Sequence, residues 1–381
     1  MCSGELDYFE EFLREYDYYV NADGARRTGA VTRADGSTFD VEGAYHLIGD
    51  SAHLRHIIED TDDVALVLSI EGAHTLSIGP DGHPRERDTI DEHIQILRDL
   101  PHPVLFVTLA HHFDNGLCGH AHSLPDAARW VMSQEPGMHE GFRELGRWAT
   151  RELLDVDAQM RPRGGRRFLL DVKHMSPRSR KQYYEEFVRP YNREARASGA
   201  RLLPVIASHS CHSGVATLDE LIRDAHREDD GWHKNPFLAW GINHCDEDVR
   251  IVWKTGGLIG ICFDQRICGV PPRQQVPREA WIDVLMRQIL ATVDVVLQDE
   301  TLPRDARLRV WDCISIGSDY DGIIDPVSAY PTVMSLPSFA DDLADALHRL
   351  RNTRGIAEIG VERLVEKICW RNGYEFALRN L

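Results

Sequence analysis

The sequence predicts an α/β protein of the (β/α)8, or TIM-like, barrel class. Short apolar runs alternate along the chain with amphipathic stretches of helical length, and most of the runs stop at a polar residue. Near-continuous apolar runs are typical of strands buried on both faces of a parallel sheet. The six such units fit a barrel or a doubly wound sheet, and the absence of a G-x-G-x-x-G motif after the first run disfavours a dinucleotide-binding sheet.

The predicted strands are residues 64–70, 104–110, 168–172, 202–207, 258–263 and 313–317. Helices are predicted over residues 90–100, 178–198 and 278–298, with a further helical region at the C-terminus. Residues 21–37 indicate a loop or weak hairpin, and residues 46–56 a helix. We therefore predict a barrel domain over residues 64–381. Residues 1–63 form an N-terminal segment of uncertain structure, so the barrel is incomplete or altered at its N-terminal strands.

Composition excludes several classes of partner. The 381 residues carry a net charge of −18, which argues against binding nucleic acid or anionic lipid, because both need clustered Lys and Arg. No run of apolar residues approaches the length of a membrane span, and the acidic, aromatic N-terminus is unlike a signal peptide. The eight scattered cysteines are predicted to be reduced thiols, mostly in the core, and the protein to be cytoplasmic.

Polar side chains stand where the predicted strands end. Because the C-terminal ends of barrel strands converge on one mouth, residues far apart in sequence meet there. Any one of these residues alone indicates a hydrogen-bonded structural side chain or a helix cap, but the set together predicts ligands for zinc or a similar divalent ion. The strand-end residues are Glu71, His111, His112, His174, His209 and Asp319. Lys173 is predicted to be structural and to face away, because neighbours on a strand point to opposite sides.

Five segments carry a resemblance to a known family. They are SIEGAH (69–74), VTLAHH (107–112), LLDVKHMS (169–176), PVIASHS (204–210) and SIGSDYDG (315–322), and they occur in the family's order. The chain resembles the renal (membrane) dipeptidase family of the amidohydrolase superfamily. The resemblance spans about residue 64 to the C-terminus, where RNGYEFALRN is similar to the family's closing helix.

The resemblance implies a role for each matched residue. Glu71 would bridge two zinc ions, and His174 and His209 would complete one of the two sites. His111 would orient the substrate carbonyl and Asp319 would handle the proton of the attacking water. His112 and Asp321 are predicted further substrate contacts. A dipeptide-like small molecule is the implied substrate, and a homodimer the implied assembly.

Two features depart from the family pattern. The family's strand-1 H-x-D pair, which binds the more buried metal, has no match before residue 64, where the only histidines are His46, His53 and His56. The family's carboxylate-binding Arg after strand 6 is also missing from residues 241–243, although Arg250 and Arg266 follow nearby. We therefore predict one zinc ion, with two as the alternative.

The predicted function is a metal-dependent hydrolase that cleaves a dipeptide or related small amide with metal-activated water. Two alternatives remain open at the level of sequence. One is a catalytically inactive barrel that binds a small molecule or a protein. The other is a hydrolase of a different bond, such as a lactone or a cyclic amide.

Overall fold

The computed structural model describes residues 7–32, 37–124, 133–227, 233–234, 236–270 and 275–381. Its strands are β1 (Arg27–Thr32), β2 (Thr38–Gly43), β3 (Tyr45–Leu47), β4 (Val64–Leu66), β5 (Leu68–Glu71), β6 (Val104–Thr108), β7 (Leu169–Asp171), β8 (Ile206–Ser210), β9 (His233–Lys234), β10 (Phe237–Leu238), β11 (Leu258–Ile261) and β12 (Ile314–Ile316).

The α-helices surround these strands. They are α1 (Tyr8–Ala22), α2 (Ser51–Asp60), α3 (His74–Ser77), α4 (Arg87–Asp99), α5 (Glu144–Leu153), α6 (Pro177–Tyr183), α7 (Arg189–Ser198), α8 (Leu218–Arg223), α9 (Asp246–Thr255), α10 (Trp281–Leu297), α11 (Arg304–Leu308), α12 (Leu336–Arg349), α13 (Ile356–Ile359), α14 (Val361–Glu366) and α15 (Asn372–Asn380). Two π-helical turns, Tyr184–Val188 and Lys367–Arg371, join α6 to α7 and α14 to α15.

A six-stranded parallel sheet forms the centre of the fold. Its spatial order is β5-β6-β7-β8-β11-β12, which is also the order along the chain. A doubly wound sheet reverses its strand order at a switch point, and this sheet has no reversal among the described strands. A second parallel pair, β3 with β4, continues the arrangement, since only Val67 separates β4 from β5. The predicted α/β architecture with a parallel sheet is thus confirmed.

Most of the helices and strands lie where the apolar pattern predicted them. In α4 the buried residues are Ile90, His93, Ile94 and Leu97, the spacing of one helix face, and the helix ends before Leu100 and the proline that follows. The predicted strand at residues 202–207 begins later, at Ile206. Asn192 on α7 explains the delay, because its amide bonds both backbone groups of Leu203 and replaces a ladder there.

The N-terminal segment packs on the sheet domain. Phe9 on α1 stacks on His93 of α4 with ring centroids 3.7 Å apart. Strands β1 and β2 form an antiparallel hairpin, as the loop or hairpin prediction allowed. The prediction of a helix was wrong for His46, which lies on β3 and forms a hydrogen bond with Asp63 at 3.1 Å.

The two ends of the parallel arrangement are linked by helices. Tyr374 on α15 donates a hydrogen bond to Glu59 on α2 at 2.7 Å, and Asn372 donates to the backbone of Ile314 in β12. Within the described residues no backbone ladder joins β12 to β3. Closure of the ring stays a prediction, as does the division of the chain at residue 64.

None of the helices in the described part of the chain is long and apolar enough to cross a membrane. The described cysteines form no disulfide, and all but the half-buried Cys369 lie in the core. The prediction of reduced, mostly buried thiols agrees with this arrangement.

Candidate metal centre

The C-terminal ends of the parallel strands surround a pocket of about 150 Å³. Glu71 is the last residue of β5 and His209 lies near the end of β8, whereas the other predicted side chains stand on the loops that follow their strands. The structure therefore brings together residues separated by up to two hundred and fifty positions in sequence. The lining includes all six strand-end residues: Glu71, His111, His112, His174, His209 and Asp319.

Among the described residues, two groups of three side chains could hold a metal ion: Glu71 with His174 and His209, and His111 with His112 and His174. The Nε2 atoms of His174 and His209 lie 3.1 and 3.3 Å from Oε1 of Glu71. Nitrogen or oxygen ligands at about 2.0–2.1 Å from a tetrahedral zinc stand roughly 3.3 Å apart. The two distances from Glu71 Oε1 therefore fit one zinc ion, and the three ligand atoms of this group all lie within 4.8 Å of one another. Asp319 adds a carboxylate oxygen 3.7 Å from His209 Nε2, and His111 Nε2 lies 3.8 Å from Glu71.

The backbone turns sharply at the site. Gly72, directly after Glu71, has φ +100, and a Cβ there would come within 2.3 Å of the His74 ring and 3.1 Å of His111. His174 and Asp319 have φ of 63 and 60, a conformation that costs energy for residues other than glycine. Such conformations concentrate at functional sites, where the surrounding structure holds them in place.

Burial keeps the site histidines neutral. It lowers the pKa of His111 to about 3 and of His112 to about 4, and neighbouring histidine and lysine side chains add to both shifts. Burial also holds the pKa of His174 and His209 well below the usual range. A neutral imidazole has a lone pair for a metal ion, so these side chains are ready to act as ligands.

Asp319 shifts in the opposite direction. Burial raises the pKa of its carboxyl to about 7, the nearby Glu71 carboxylate adds to the rise, and Lys173 opposes it. A carboxyl group that titrates near neutrality can both accept and return a proton, which suits a general base that later acts as an acid.

A relay that the sequence did not reveal orients His209. Asp171, the last residue of β7, is fully buried and accepts hydrogen bonds from the Thr108 hydroxyl (2.8 Å), the Ser208 hydroxyl (2.5 Å) and the Ser208 and Lys173 backbone N–H groups (3.0 Å each). Because the Ser208 hydroxyl donates to Asp171, it accepts from Nδ1–H of His209 at 2.9 Å. The Nε2 atom of His209 is then unprotonated and faces Glu71. A single acidic residue inside an apolar strand was the available signal.

The prediction that Lys173 faces away from the site is wrong. Strand β7 ends at Asp171, and the next residues turn, so the strand alternation does not extend to Lys173. Lys173 is 4% exposed, and it lines the pocket.

Of the remaining residues considered in the sequence analysis, some line the pocket and others lie away from it. His112 lines the pocket and its Nδ1 lies 2.8 Å from the Ser123 hydroxyl. Asp321 is exposed and does not line the pocket, although Gly322 beside it does. Of the two arginines, Arg266 lines the pocket and binds Asp264 with Nε and Nη2, whereas Arg250 lies on α9 near Asp246. His46, His53 and His56 do not reach the pocket.

The sequence matches no protein-family model and no curated protein. Solved structures of similar fold include two metallopeptidases. One is a metallopeptidase of family M19 described as dipeptidase AC, with a TM-score of 0.51 and 17% identity over 88% of this chain and 71% of that one. The chain is therefore similar in fold to this metallopeptidase. A metallopeptidase from Rhodobacter sphaeroides, liganded with a phosphinate mimic of the dipeptide L-Ala-D-Ala, gives the same TM-score and identity over 88% of this chain and 69% of that one. The resemblance predicted from the five segments is confirmed at the level of fold.

Proposed function

We propose that the chain is a metal-dependent hydrolase of a dipeptide or related small amide. The observation that carries the proposal is the Glu71, His174 and His209 group, whose ligand atoms stand at zinc spacing in a pocket with a carboxyl group that titrates near neutrality. One zinc ion is the proposed cofactor, because the histidines of the N-terminal segment lie away from the pocket.

Glu71, His174 and His209 would hold a divalent ion, which when bound would supply an activated water and polarisation of the scissile carbonyl. Asp319 takes the proton of the attacking water and returns it to the leaving amine. His111 is neutral and lines the same pocket, so its imidazole orients the substrate carbonyl by a hydrogen bond. The volume of about 150 Å³ suits a small substrate.

The same elements support a closed barrel. The parallel strands follow one another around the sheet in chain order, and α15 reaches α2 across the two ends through Tyr374 and Glu59. We propose that the fold is a (β/α)8 barrel altered at its first strand. That strand is where the resembling family carries its H-x-D pair.

Metal content and turnover test the proposal together. The zinc-loaded chain is incubated with a panel of dipeptides, N-acyl amino acids, cyclic amides and lactones, before and after removal of metal with a chelator. We expect one zinc per chain, hydrolysis of a dipeptide or simple amide, loss of turnover on chelation, and recovery with added zinc. Full turnover in the metal-free chain contradicts the proposal. Hydrolysis of lactones or cyclic amides alone identifies the other bond class, and an empty, inert chain a binding module.

A further inference from the structure

Lys173 is a buried cation beside the candidate metal ligands. It is 4% exposed, it lines the pocket, and among the described residues its ammonium has neither a hydrogen bond nor an ion pair. Its Nζ is not one of the described side-chain atoms that are both fully buried and without a partner, so the ammonium keeps contact with the open space of the pocket. The ammonium of Lys173 therefore has its hydrogen-bonding capacity available to a ligand in the pocket.

The charge of Lys173 acts on the reacting groups. After burial, which is the larger cause, this charge lowers the pKa of His112 and of His209, and it opposes the rise at Asp319. The same side chain also borders a small inner void with Ser210 and Ile242, behind the pocket. Lys173 thus stands at the inner wall of the pocket, among the side chains that hold the metal and move the proton.

The other charged groups of the pocket do not duplicate Lys173. Arg266 is held by Asp264 through contacts of 2.6 to 3.0 Å, so most of its charge is already compensated. His111 is neutral, because burial lowers its pKa to about 3, and it offers a hydrogen bond without a positive charge. Lys173 is the pocket cation of the described residues that has no carboxylate in contact.

We propose that the Lys173 ammonium acts as the second cation of the centre and binds the oxyanion that develops on the scissile carbonyl. This inference rests on the proposed function. When Glu71 and Asp319 are ionised, they carry two negative charges. One divalent ion and the Lys173 ammonium together carry three positive charges, which already exceeds that number. A second divalent ion would add two positive charges to a pocket walled by buried groups, at high electrostatic cost.

The proposed reaction is the addition of water to the amide carbonyl, followed by breakdown of the tetrahedral intermediate. The water oxygen forms a bond to the carbonyl carbon, the π pair of the C=O bond moves to its oxygen, and Asp319 takes the proton. Lys173 stays protonated and donates a hydrogen bond to the new oxyanion. When the C=O bond re-forms, the C–N bond breaks and Asp319 returns the proton to the amine.

A phosphinate mimic of L-Ala-D-Ala separates this role from the binding of a substrate carboxylate, because its tetrahedral oxygen resembles the oxyanion. The phosphinate is prepared with a C-terminal carboxylate and with a C-terminal carboxamide, and both dissociation constants are measured by calorimetry on zinc-loaded wild-type, K173M and K173Q chains. K181M is the matched control, because Lys181 lies on α6 and pairs with Asp219 outside the pocket. Zinc content, thermal unfolding and L-Ala-D-Ala hydrolysis accompany each variant.

We expect K173M and K173Q to weaken both phosphinates and to lower kcat by about 10²–10³-fold, the range for loss of one oxyanion donor, with KM changing far less. All chains should hold one zinc, and K173M should unfold no earlier than the wild type. Unchanged phosphinate affinity, loss for the carboxylate form alone, or two zinc ions in the wild type would each overturn the role of Lys173 and leave the proposed hydrolase intact. A wild-type chain that hydrolyses nothing and binds neither phosphinate would overturn both.

Discussion

The Ser208 hydroxyl lies 2.9 Å from Nδ1 of His209 and donates its own proton to Asp171. This pair fixes the imidazole tautomer that a metal needs. Replacing Ser208 with Ala removes the acceptor for Nδ1–H, and loss of such a supporting partner costs about 10–100-fold in metal affinity. We expect S208A to show this weakening in a zinc competition titration, whereas S198A, at the exposed end of α7, should not. Equal zinc affinities of S208A and the wild type would show that the Asp171–Ser208 relay does not set the tautomer of His209.

Removal of the Glu71 carboxylate should abolish the metal centre. Glu71 Oε1 is the one atom that lies within 3.3 Å of both His174 and His209, so no other described carboxylate can take its place between them. We expect E71A to retain its fold and to purify without stoichiometric zinc, as measured by elemental analysis, and to lose turnover. E59A, on the outer helix α2, is the control and should keep its zinc. Stoichiometric zinc in E71A would contradict the proposed ligand set.

Two aspartates that are two residues apart give a matched test of the general base. Both have positive φ, a conformation that Asn tolerates, but only Asp319 lines the pocket. We expect D319N to hold zinc and to lose about 10²–10⁴-fold in kcat, because the proton of the attacking water has no acceptor. D321N should stay within a fewfold of the wild type in the same assay. The reverse pattern would assign the proton transfer to Asp321.

The metal-free chain should lose stability as pH falls below neutrality. Burial lowers the pKa of His111 to about 3 and of His112 to about 4, so between pH 7 and 5.5 the unfolded chain takes up protons that the folded chain does not. Each such histidine removes about 1 kcal/mol of unfolding free energy at pH 5.5. Asp319, with a pKa raised to about 7, acts in the opposite sense, since its contribution to stability is lost as pH rises through 7.

Urea unfolding of chelator-treated protein at pH 7.5 and 5.5 measures the balance. We expect a lower free energy of unfolding at pH 5.5, and a larger drop in D319N, which lacks the opposing carboxyl group. A free energy of D319N that does not change over this interval would show that the histidines titrate normally in the folded chain, because this variant lacks the opposing carboxyl group.

The N-terminal helix should stabilise the whole fold. Phe9 is buried and stacks on His93, so Phe9→Ala leaves a cavity in the core and should cost about 3–5 kcal/mol. Tyr18 on the same helix is 71% exposed, so Tyr18→Ala should change the free energy of unfolding by less than about 0.5 kcal/mol. A single unfolding transition shifted by Phe9→Ala would show that α1 and the sheet unfold as one unit. An unshifted transition would show that residues before 64 are separable.

The strand-end pattern was sufficient to predict that its polar side chains line one pocket. Glu71, His174 and His209 each follow an apolar run, and parallel strands necessarily bring those ends to one edge. Such a pattern depends on local sequence and on a topological rule, which is why the predicted side chains meet in the structure. The same local logic failed for Lys173, because the strand ends two residues earlier and strand alternation stops with it.

The sequence by itself determined the parallel α/β class, the six strand-end residues and their convergence, because hydrophobic periodicity is a local property of the chain. Only the tertiary structure decided that Asp171 and Ser208 set the tautomer of His209, that Lys173 and Arg266 enter the pocket, and that Asp321 does not. These outcomes depend on loop conformations after the strands and on contacts between distant segments. Periodicity carries no information about either, because a turn with positive φ redirects a side chain without changing the pattern of the residues around it.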